Sequence, residues 1–329
     1  MNCPYAQHMT TIRFEHVTKF FPGAPRPAVD DVSLEVESGR LIVLLGPSGC
    51  GKTTLLKMVN RLIEPTAGTI YLDGEDIRQI ELTALRRQIG YVIQQIGLFP
   101  HMTVAQNIAV VPELLGWSRQ QTDRRIDELL DLIGLPPQEY RHRYPAQLSG
   151  GQQQRVGLAR ALAGDPRLML MDEPFGAIDA ITRASLQEAM LQLKRKLSKT
   201  VLFVTHDVEE ALRLADKIVV LREGRVVQYD TPFTILTQPA NEFVYDLIGA
   251  EDMVRRLGML RVESAMQRAT PVPSLNGAPT IGLYEDLHHA LSLLLRTGAP
   301  ALTVVDASQP VGMLSLDDIR ASTSERKTT

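Results

Sequence analysis

Residues 46–54 carry the spacing G-x-x-x-x-G-K-[ST], which is typical of a loop that binds a phosphate group. The apolar run at residues 41–45 predicts a buried strand before the loop, and residues 52–62 predict a helix after it. The glycines let backbone N–H groups point at a phosphate, and the helix start adds a positive partial charge. In this pattern the Lys52 ammonium reaches the outer phosphates of a nucleotide, and the Thr53 hydroxyl binds Mg²⁺. The loop consists of Gly46, Pro47, Ser48, Gly49, Cys50, Gly51, Lys52, Thr53 and Thr54.

A second glycine-rich helix start follows at residues 148–155, Leu-Ser-Gly-Gly-Gln-Gln-Gln-Arg. Ser149 is a plausible N-cap, and Gln152 stands at the spacing of a capping box. Glycines are poor helix formers, so their presence at Gly150 and Gly151 predicts that another group approaches this backbone closely. An anion is the natural candidate at a helix N-terminus.

Polar side chains follow two further apolar runs that predict buried strands. Asp172 and Glu173 come directly after residues 167–171, and His206 comes directly after residues 200–205. Two adjacent carboxylates are costly to bury unless they are paired or bind a metal. With a phosphate-binding loop nearby, the aspartate is expected to hold Mg²⁺ through water, and the glutamate is placed to polarise an attacking water. Ligands of open α/β sheets bind at strand ends, which favours a functional role for His206.

The remaining patterns predict the elements that surround these residues. Residues 11–17 and 29–36 predict strands, and Asp73-Gly74 marks a hairpin turn. The aromatic pair Phe20-Phe21 fits either a core position, which the pattern alone favours, or a surface that stacks on a base. Residues 103–144 predict an inserted helical lobe. Its apolar stripe consists of Ile126, Leu129, Leu130 and Ile133, and a solvated charged face is expected at Arg124, Arg125, Asp127, Glu128 and Asp131.

The composition of the 329 residues is that of an ordinary globular chain, with 44% hydrophobic residues. The formal net charge of −3 offers no electrostatic basis for binding nucleic acid. Two cysteines, Cys3 and Cys50, cannot form a disulfide framework, which favours a reducing cytosol. We expect neither a membrane span nor a signal peptide, and either Met1 or Met9 could be the start residue.

Taken in order, these motifs resemble those of ATPase subunits of ABC transporters, over about residues 11–250. In that resemblance Phe21 stacks on adenine and residues 46–54 form the Walker A loop. Gln94, rather than Gln95, matches the Q-loop glutamine because it follows the predicted strand directly. The signature motif is Leu148 to Gln152. Residues 177–179 match the D-loop, with Ile178 in place of the usual leucine.

The resemblance implies an α/β P-loop NTPase fold with an inserted helical lobe and an antiparallel β subdomain. It also implies a head-to-tail homodimer with ATP at the interface, where the second copy contributes Ser149, Gly150, Gly151, Gln152 and Asp179. Mg²⁺ is assigned to Thr53, Gln94 and Asp172, and catalysis to Glu173, His206 and Gln94. The implied partners are integral-membrane permease subunits and, indirectly, a solute-binding protein, which places the chain peripherally at the cytoplasmic face of the cell membrane.

Within this family, residues 57–62 and 89–101 most resemble ATPases of quaternary-amine importers for glycine betaine, choline or carnitine. An importer of another solute, such as an amino acid or a sugar, and a non-transport ABC ATPase are the alternatives. We expect an ATPase domain at residues 11–250 and a small α+β module at 255–322 that resembles one CBS module. Whether that module binds a nucleotide or only dimerises is open. Residues 1–10 and 323–329 are expected to be disordered tails.

Overall fold

The computed structural model describes residues 10–93, 97–176, 183–184, 186–188, 190–191, 199–249, 257–258, 260–268, 279–307 and 309–324. The chain divides into two compact units, Met1–Pro232 and Phe233–Thr329. Two of the predicted site residues, Gln94 and Asp179, lie outside the described residues, as do residues 1–9 and 325–329.

A sheet of six described strands forms the centre of the first unit, in the order β10-β9-β3-β8-β7-β6. Strands β9, β3, β8, β7 and β6 are parallel, and β10 pairs with β9 in antiparallel register. Parallel strands place their carboxyl ends at one edge, so the segments after β3, β7 and β8 meet there. The strands are β3 (Leu41–Leu45), β6 (Ile89–Val92), β7 (Leu168–Asp172), β8 (Thr200–Thr205), β9 (Lys217–Arg222) and β10 (Arg225–Asp230).

A second, antiparallel sheet has the strand order β2-β1-β4-β5. It shares one hydrophobic core with the central sheet. Its alternating strands bury one face, as the buried positions Ile12, Phe14 and Val17 of β1 show. The strands are β1 (Ile12–Lys19), β2 (Val29–Val36), β4 (Ala67–Leu72) and β5 (Glu75–Asp76). The helices flanking these sheets are α1 (Lys52–Val59), α2 (Leu82–Arg87) and, after β8, α7 (Val208–Leu214).

The predicted helical stretch consists of α3 (Val104–Leu114), α4 (Arg119–Leu132), α5 (Pro137–Tyr140) and a 3₁₀ turn at Pro145–Gln147, and it leads into α6 (Gly150–Leu162). The predicted apolar stripe of α4 is buried. Its charged face is only partly solvated. Arg125 is 19% exposed and donates to the Leu162 carbonyl at 3.0 Å, because α4 packs against α6.

The second unit contains a sheet in the order β11-β14-β13-β12 with helices around a core of its own. Strands β12 and β13 are parallel and are joined through a helix, whereas β13 and β14 form an antiparallel hairpin. The elements are α8 (Pro232–Thr237), which begins at the boundary between the units, α9 (Glu242–Ile248), α10 (Val262–Ala265), β11 (Gln267–Arg268), β12 (Thr280–Gly282), α11 (Leu287–Thr297), β13 (Ala301–Asp306), β14 (Gln309–Ser315) and α12 (Leu316–Ser324).

Four further expectations differ from the structure. The helix predicted to reach residue 62 ends at Val59, because Arg61 takes a positive φ of 52°. Phe21 is 38% exposed, so the core interpretation that the pattern favoured is wrong. Thr10, expected in a disordered tail, is 1% exposed, and its carbonyl accepts a hydrogen bond from Thr200. At the other end, α12 continues to residue 324. None of the described helices is both long and apolar enough to cross a membrane.

Candidate nucleotide-binding and catalytic site

The loop between β3 and α1 packs so tightly that two of its glycines cannot carry a side chain. Gly46 has φ +155°, and a Cβ there would lie 2.3 Å from the carbonyl oxygen of Leu221. Gly51 has φ +105°, and a Cβ there would lie 2.2 Å from the carbonyl oxygen of Ala28. These glycines therefore serve the packing of the loop as well as its ability to turn N–H groups toward a phosphate.

The Lys52 side chain is 5% exposed and lies within its own loop. Its ammonium donates to the carbonyl oxygens of Gly46 at 2.7 Å and Pro47 at 2.8 Å. A buried ammonium requires such acceptors, and these hold the charge at the loop where the sequence pattern expects phosphates. Cys50, the neighbouring thiol, is buried, and its sulfur lies 3.7 Å from the same ammonium.

Asp172 at the end of β7 lies directly against the loop helix. Its Oδ1 accepts a hydrogen bond from the Thr53 hydroxyl at 2.8 Å, and the residue is 4% exposed. Burial raises the pKa of Asp172, and the neighbouring Glu173 charge adds to this effect, while the Thr53 bond and nearby lysines oppose it. A buried carboxylate oxygen beside a hydroxyl oxygen fits Mg²⁺, which prefers oxygen ligands and binds proteins through one or two carboxylates plus phosphate and water.

Glu173 and His206, predicted from separate strand ends, lie together. The His206 Nδ1 atom is 3.3 Å from the Glu173 Oε1 atom. Glu173 has a positive φ of 44°, which is a strained conformation for this residue type, and its N–H donates to the Val204 carbonyl at 3.0 Å. The surrounding sheet thus holds the Glu173 backbone in a conformation that this residue type rarely adopts.

Residues of the phosphate-binding loop line a cleft of about 480 Å³ together with Glu173 and His206. Its volume lies within the usual range for small-molecule sites. The lining residues are Ala28, Ser48, Gly49, Gly51, Lys52, Thr53, Thr54, Glu173 and His206. Of the predicted site residues, the structure therefore brings together part of the phosphate-binding loop and the residues that follow β7 and β8. The sequence does not predict Ala28 as a lining residue, because an alanine side chain carries no chemical signal.

Phe21 is not among the described residues that line this cleft. The Lys19 ammonium lies 5.1 Å from the centre of its ring, and the same ammonium donates to the Glu64 carbonyl at 2.8 Å. One cation thus lies near the exposed aromatic ring, a favourable electrostatic contact.

The signature helix start has the predicted cap. The Ser149 hydroxyl accepts from the Gln152 N–H at 3.3 Å, and the Gln152 side chain accepts from the Ser149 N–H at 2.9 Å. No group in the described part of this chain closely approaches Gly150, since a Cβ there would meet nothing within 4 Å, whereas Gly151 is buried. None of the described residues 149–152 lines the cleft at the phosphate-binding loop.

A strand–loop–helix phosphate site with acidic and histidine side chains at neighbouring strand ends defines a P-loop nucleoside triphosphatase. Residues 29–176 match the family model described as ABC transporter. The glycine betaine/carnitine/choline transport ATP-binding protein OpuCA of Bacillus subtilis is 51% identical over 90% of this chain and 75% of that protein. The glycine betaine uptake system ATP-binding protein YehX of Escherichia coli is 49% identical over 94% of this chain and 98% of that protein.

Among solved structures, the dimeric post-hydrolysis state of the ATP-binding cassette MJ0796 bound to ADP and Pi matches with a TM-score of 0.60. It is 32% identical and covers 67% of this chain and 98% of that one. The chain belongs to the ATP-binding subunits of ABC transporters. It binds ATP and is an ATPase whose hydrolysis is coupled to transport. The predicted ABC ATPase fold is confirmed.

Proposed function

We propose that this chain energises the import of an osmoprotectant, such as glycine betaine, choline or carnitine, through a separate permease. The observation that carries the proposal is the identity of 49–51% to relatives named for these solutes, over 90% or more of the chain. In this arrangement the chain is peripheral at the cytoplasmic face of the cell membrane, and a solute-binding protein delivers the substrate to the permease.

The cleft geometry and the family motifs together support a division of roles among the predicted site residues. Lys52 and the backbone of residues 46–54 bind the phosphates of ATP, and Phe21 stacks on the adenine. Thr53, Asp172 and Gln94 hold Mg²⁺, which neutralises charge that develops on the phosphates. Glu173 orients and polarises the attacking water, and His206, 3.3 Å from Glu173, stabilises the terminal phosphate. Phosphoryl transfer needs mainly positioning and charge neutralisation, which these groups supply.

A second copy of the chain completes the site in this proposal. Ser149, Gly150, Gly151 and Gln152 lie at the start of α6 or next to it. Ser149 and Gly150 are exposed, whereas Gly151 is buried, and a Cβ at Gly150 would meet open space. Such a helix N-terminus suits the terminal phosphate of an ATP held by another copy, and Asp179 is proposed to approach from the same copy. The dimeric state of the MJ0796 cassette supports this arrangement.

The helical lobe is the proposed contact with the permease, with Gln94 at its hinge. A groove of about 460 Å³ between α3, α4 and the Arg141 side chain gives this lobe a recess for a partner. Closing and opening of the ATPase dimer then moves the lobe, and ATP drives the motion only through its higher affinity for the closed state.

The second unit is proposed to be a single CBS-like module. Its order of strand, helix, hairpin and helix, from β12 to α12, supports this interpretation. We retain residues 11–250 for the ATPase domain and 255–322 for the module as a proposal, whereas the compact units divide at residues 232 and 233. A single module could pair with that of a second copy.

Uptake of labelled solutes tests the proposed function. Cells carrying Lys52→Ala as their sole chromosomal change are compared with wild-type cells at high osmolarity, with glycine betaine, choline, proline and a sugar as parallel substrates. Loss of betaine or choline uptake in the mutant alone supports the proposal. Normal betaine uptake with loss of another solute overturns the osmoprotectant assignment and leaves the ATPase intact.

A further inference from the structure

A single hydroxyl group holds the backbone on both sides of His206. Thr205, at the end of β8, accepts a hydrogen bond from the Asp207 N–H at 3.0 Å. The same hydroxyl donates to the Glu210 Oε2 atom at 2.6 Å. A hydroxyl carries one hydrogen and accepts through its lone pairs, so Thr205 uses both capacities here. His206 is thereby fixed between a buried strand end and the first turn of α7.

Glu210 is a buried carboxylate that the proposed mechanism does not use. It is 4% exposed, and burial raises its pKa, while the Thr205 bond and the Arg183 charge favour the ionised form. The Arg183 Nε atom lies 3.9 Å from Glu210 Oε1, and its Nη1 atom lies 3.5 Å from Asp207 Oδ2. A buried carboxylate is stable only with such partners, so Glu210 keeps this cluster in one arrangement.

The His206 side chain itself has little support, because it is 62% exposed. Its distance of 3.3 Å from Glu173 therefore depends on where the backbone presents it. The cluster and the catalytic pair line one small recess together with Phe175 and Gly176. Arg183 also follows residues 177–182, which include Asp179, so the cluster connects the chain after the proposed D-loop to the His206 segment.

We propose that Glu210 is a positioning residue for hydrolysis: with Thr205 and Arg183 it fixes the segment that presents His206 to Glu173 and to the terminal phosphate. This inference rests on the roles assigned to His206 and Glu173 in the proposed function. A displacement of about 1 Å in a catalytic group can lower a rate by roughly 10²-fold, so a modest shift of this segment is enough to be measured.

Single-turnover hydrolysis tests the inference, with the full-length chain in excess over labelled ATP so that slow rates are detected. The variants are Glu210→Gln, which keeps an acceptor for Thr205 but loses the charge, and Thr205→Val, which keeps the shape but loses the hydroxyl. Glu209→Gln, an exposed position on the same helix, is the matched control. Each change is made alone and together with His206→Ala, and thermal midpoints and ATP affinity are measured in parallel.

We expect Glu210→Gln and Thr205→Val to slow hydrolysis by about tenfold or more, with ATP affinity within about twofold and Glu209→Gln unchanged. In the His206→Ala background neither change should slow hydrolysis further, since residues acting as a unit are non-additive. Equal losses in both backgrounds, or a folded Glu210→Gln protein with the wild-type rate, would overturn the inference. Absence of wild-type hydrolysis, or a silent His206→Ala, would instead overturn the proposed function beneath it.

Discussion

Replacing Gly150 with alanine should leave the folding of a single chain intact but disturb the nucleotide site that a second copy is proposed to complete. The added methyl group meets nothing within 4 Å in the described part of the chain, and Gly150 is helical without a positive φ. Alanine is better than glycine inside a helix by about 0.5–1 kcal/mol. The chain should therefore fold as well as wild type, with a thermal midpoint equal or higher by a few degrees, on the scale of ~2–4 °C per kcal/mol.

Hydrolysis should respond in the opposite direction. If the backbone at Gly150 donates to a phosphate bound by another copy, a methyl group there forces the two apart. Loss of one hydrogen bond to a charged group costs about 1.5–3 kcal/mol, which corresponds to a rate reduced by roughly 10- to 100-fold. Gly258→Ala is the control, because its added methyl group also meets open space, in the second unit.

The assay combines thermal unfolding without nucleotide, steady-state ATP hydrolysis, and mixing of the Gly150→Ala and Lys52→Ala proteins. In a mixed dimer one site has both defects and the other has neither, so the mixture should hydrolyse ATP faster than either protein alone. Unchanged hydrolysis by Gly150→Ala would refute the approach of phosphate to this helix. Lack of recovery on mixing would refute the contribution from a second copy, and a lower thermal midpoint would show that Gly150 is packed within its own chain.

Three further predictions follow from the cleft. Glu173→Gln should lower the hydrolysis rate by ~10²-fold or more while ATP binding by calorimetry persists, and a near wild-type rate would remove Glu173 from catalysis. Because burial raises the pKa of Asp172, the metal-free fold loses stability as pH rises from the ordinary pKa of 3.8 through the raised value. Asp172→Asn should therefore raise the urea midpoint of the metal-free chain at pH 7 and abolish extra stabilisation by Mg²⁺ with ATP; a less stable variant would contradict this. Gly51→Ala should destabilise by ~2 kcal/mol or more in the same assay, since its Cβ would lie 2.2 Å from the Ala28 oxygen, and a neutral effect would show that the loop can shift.

Features encoded within a few residues were predictable. The phosphate-binding loop lies between a buried strand and a helix, the apolar stripe of α4 is buried, and Ser149 caps α6 in a box with Gln152. Each depends on side-chain spacing, on backbone conformation or on hydrogen bonds between near neighbours, so the local sequence carries the information. The placement of Asp172, Glu173 and His206 near the ligand site also followed, because each comes directly after a predicted buried strand and ligands of open α/β sheets bind at strand ends.

Contacts between distant segments were decided only by the tertiary structure. The exposure of Phe21 depends on what packs beside β1, and the need for glycine at Gly46 comes from a carbonyl on β9. The Thr205–Glu210 hydrogen bond joins residues that are close in the sequence. Arg183, which contacts the same Glu210 carboxylate, comes from a distant part of the chain. Composition and periodicity predict that an element forms and which face it buries. Strand order and register determine which distant backbone groups and charged side chains lie next to that face. Here they place the phosphate-binding loop, Glu173 and His206 around one cleft.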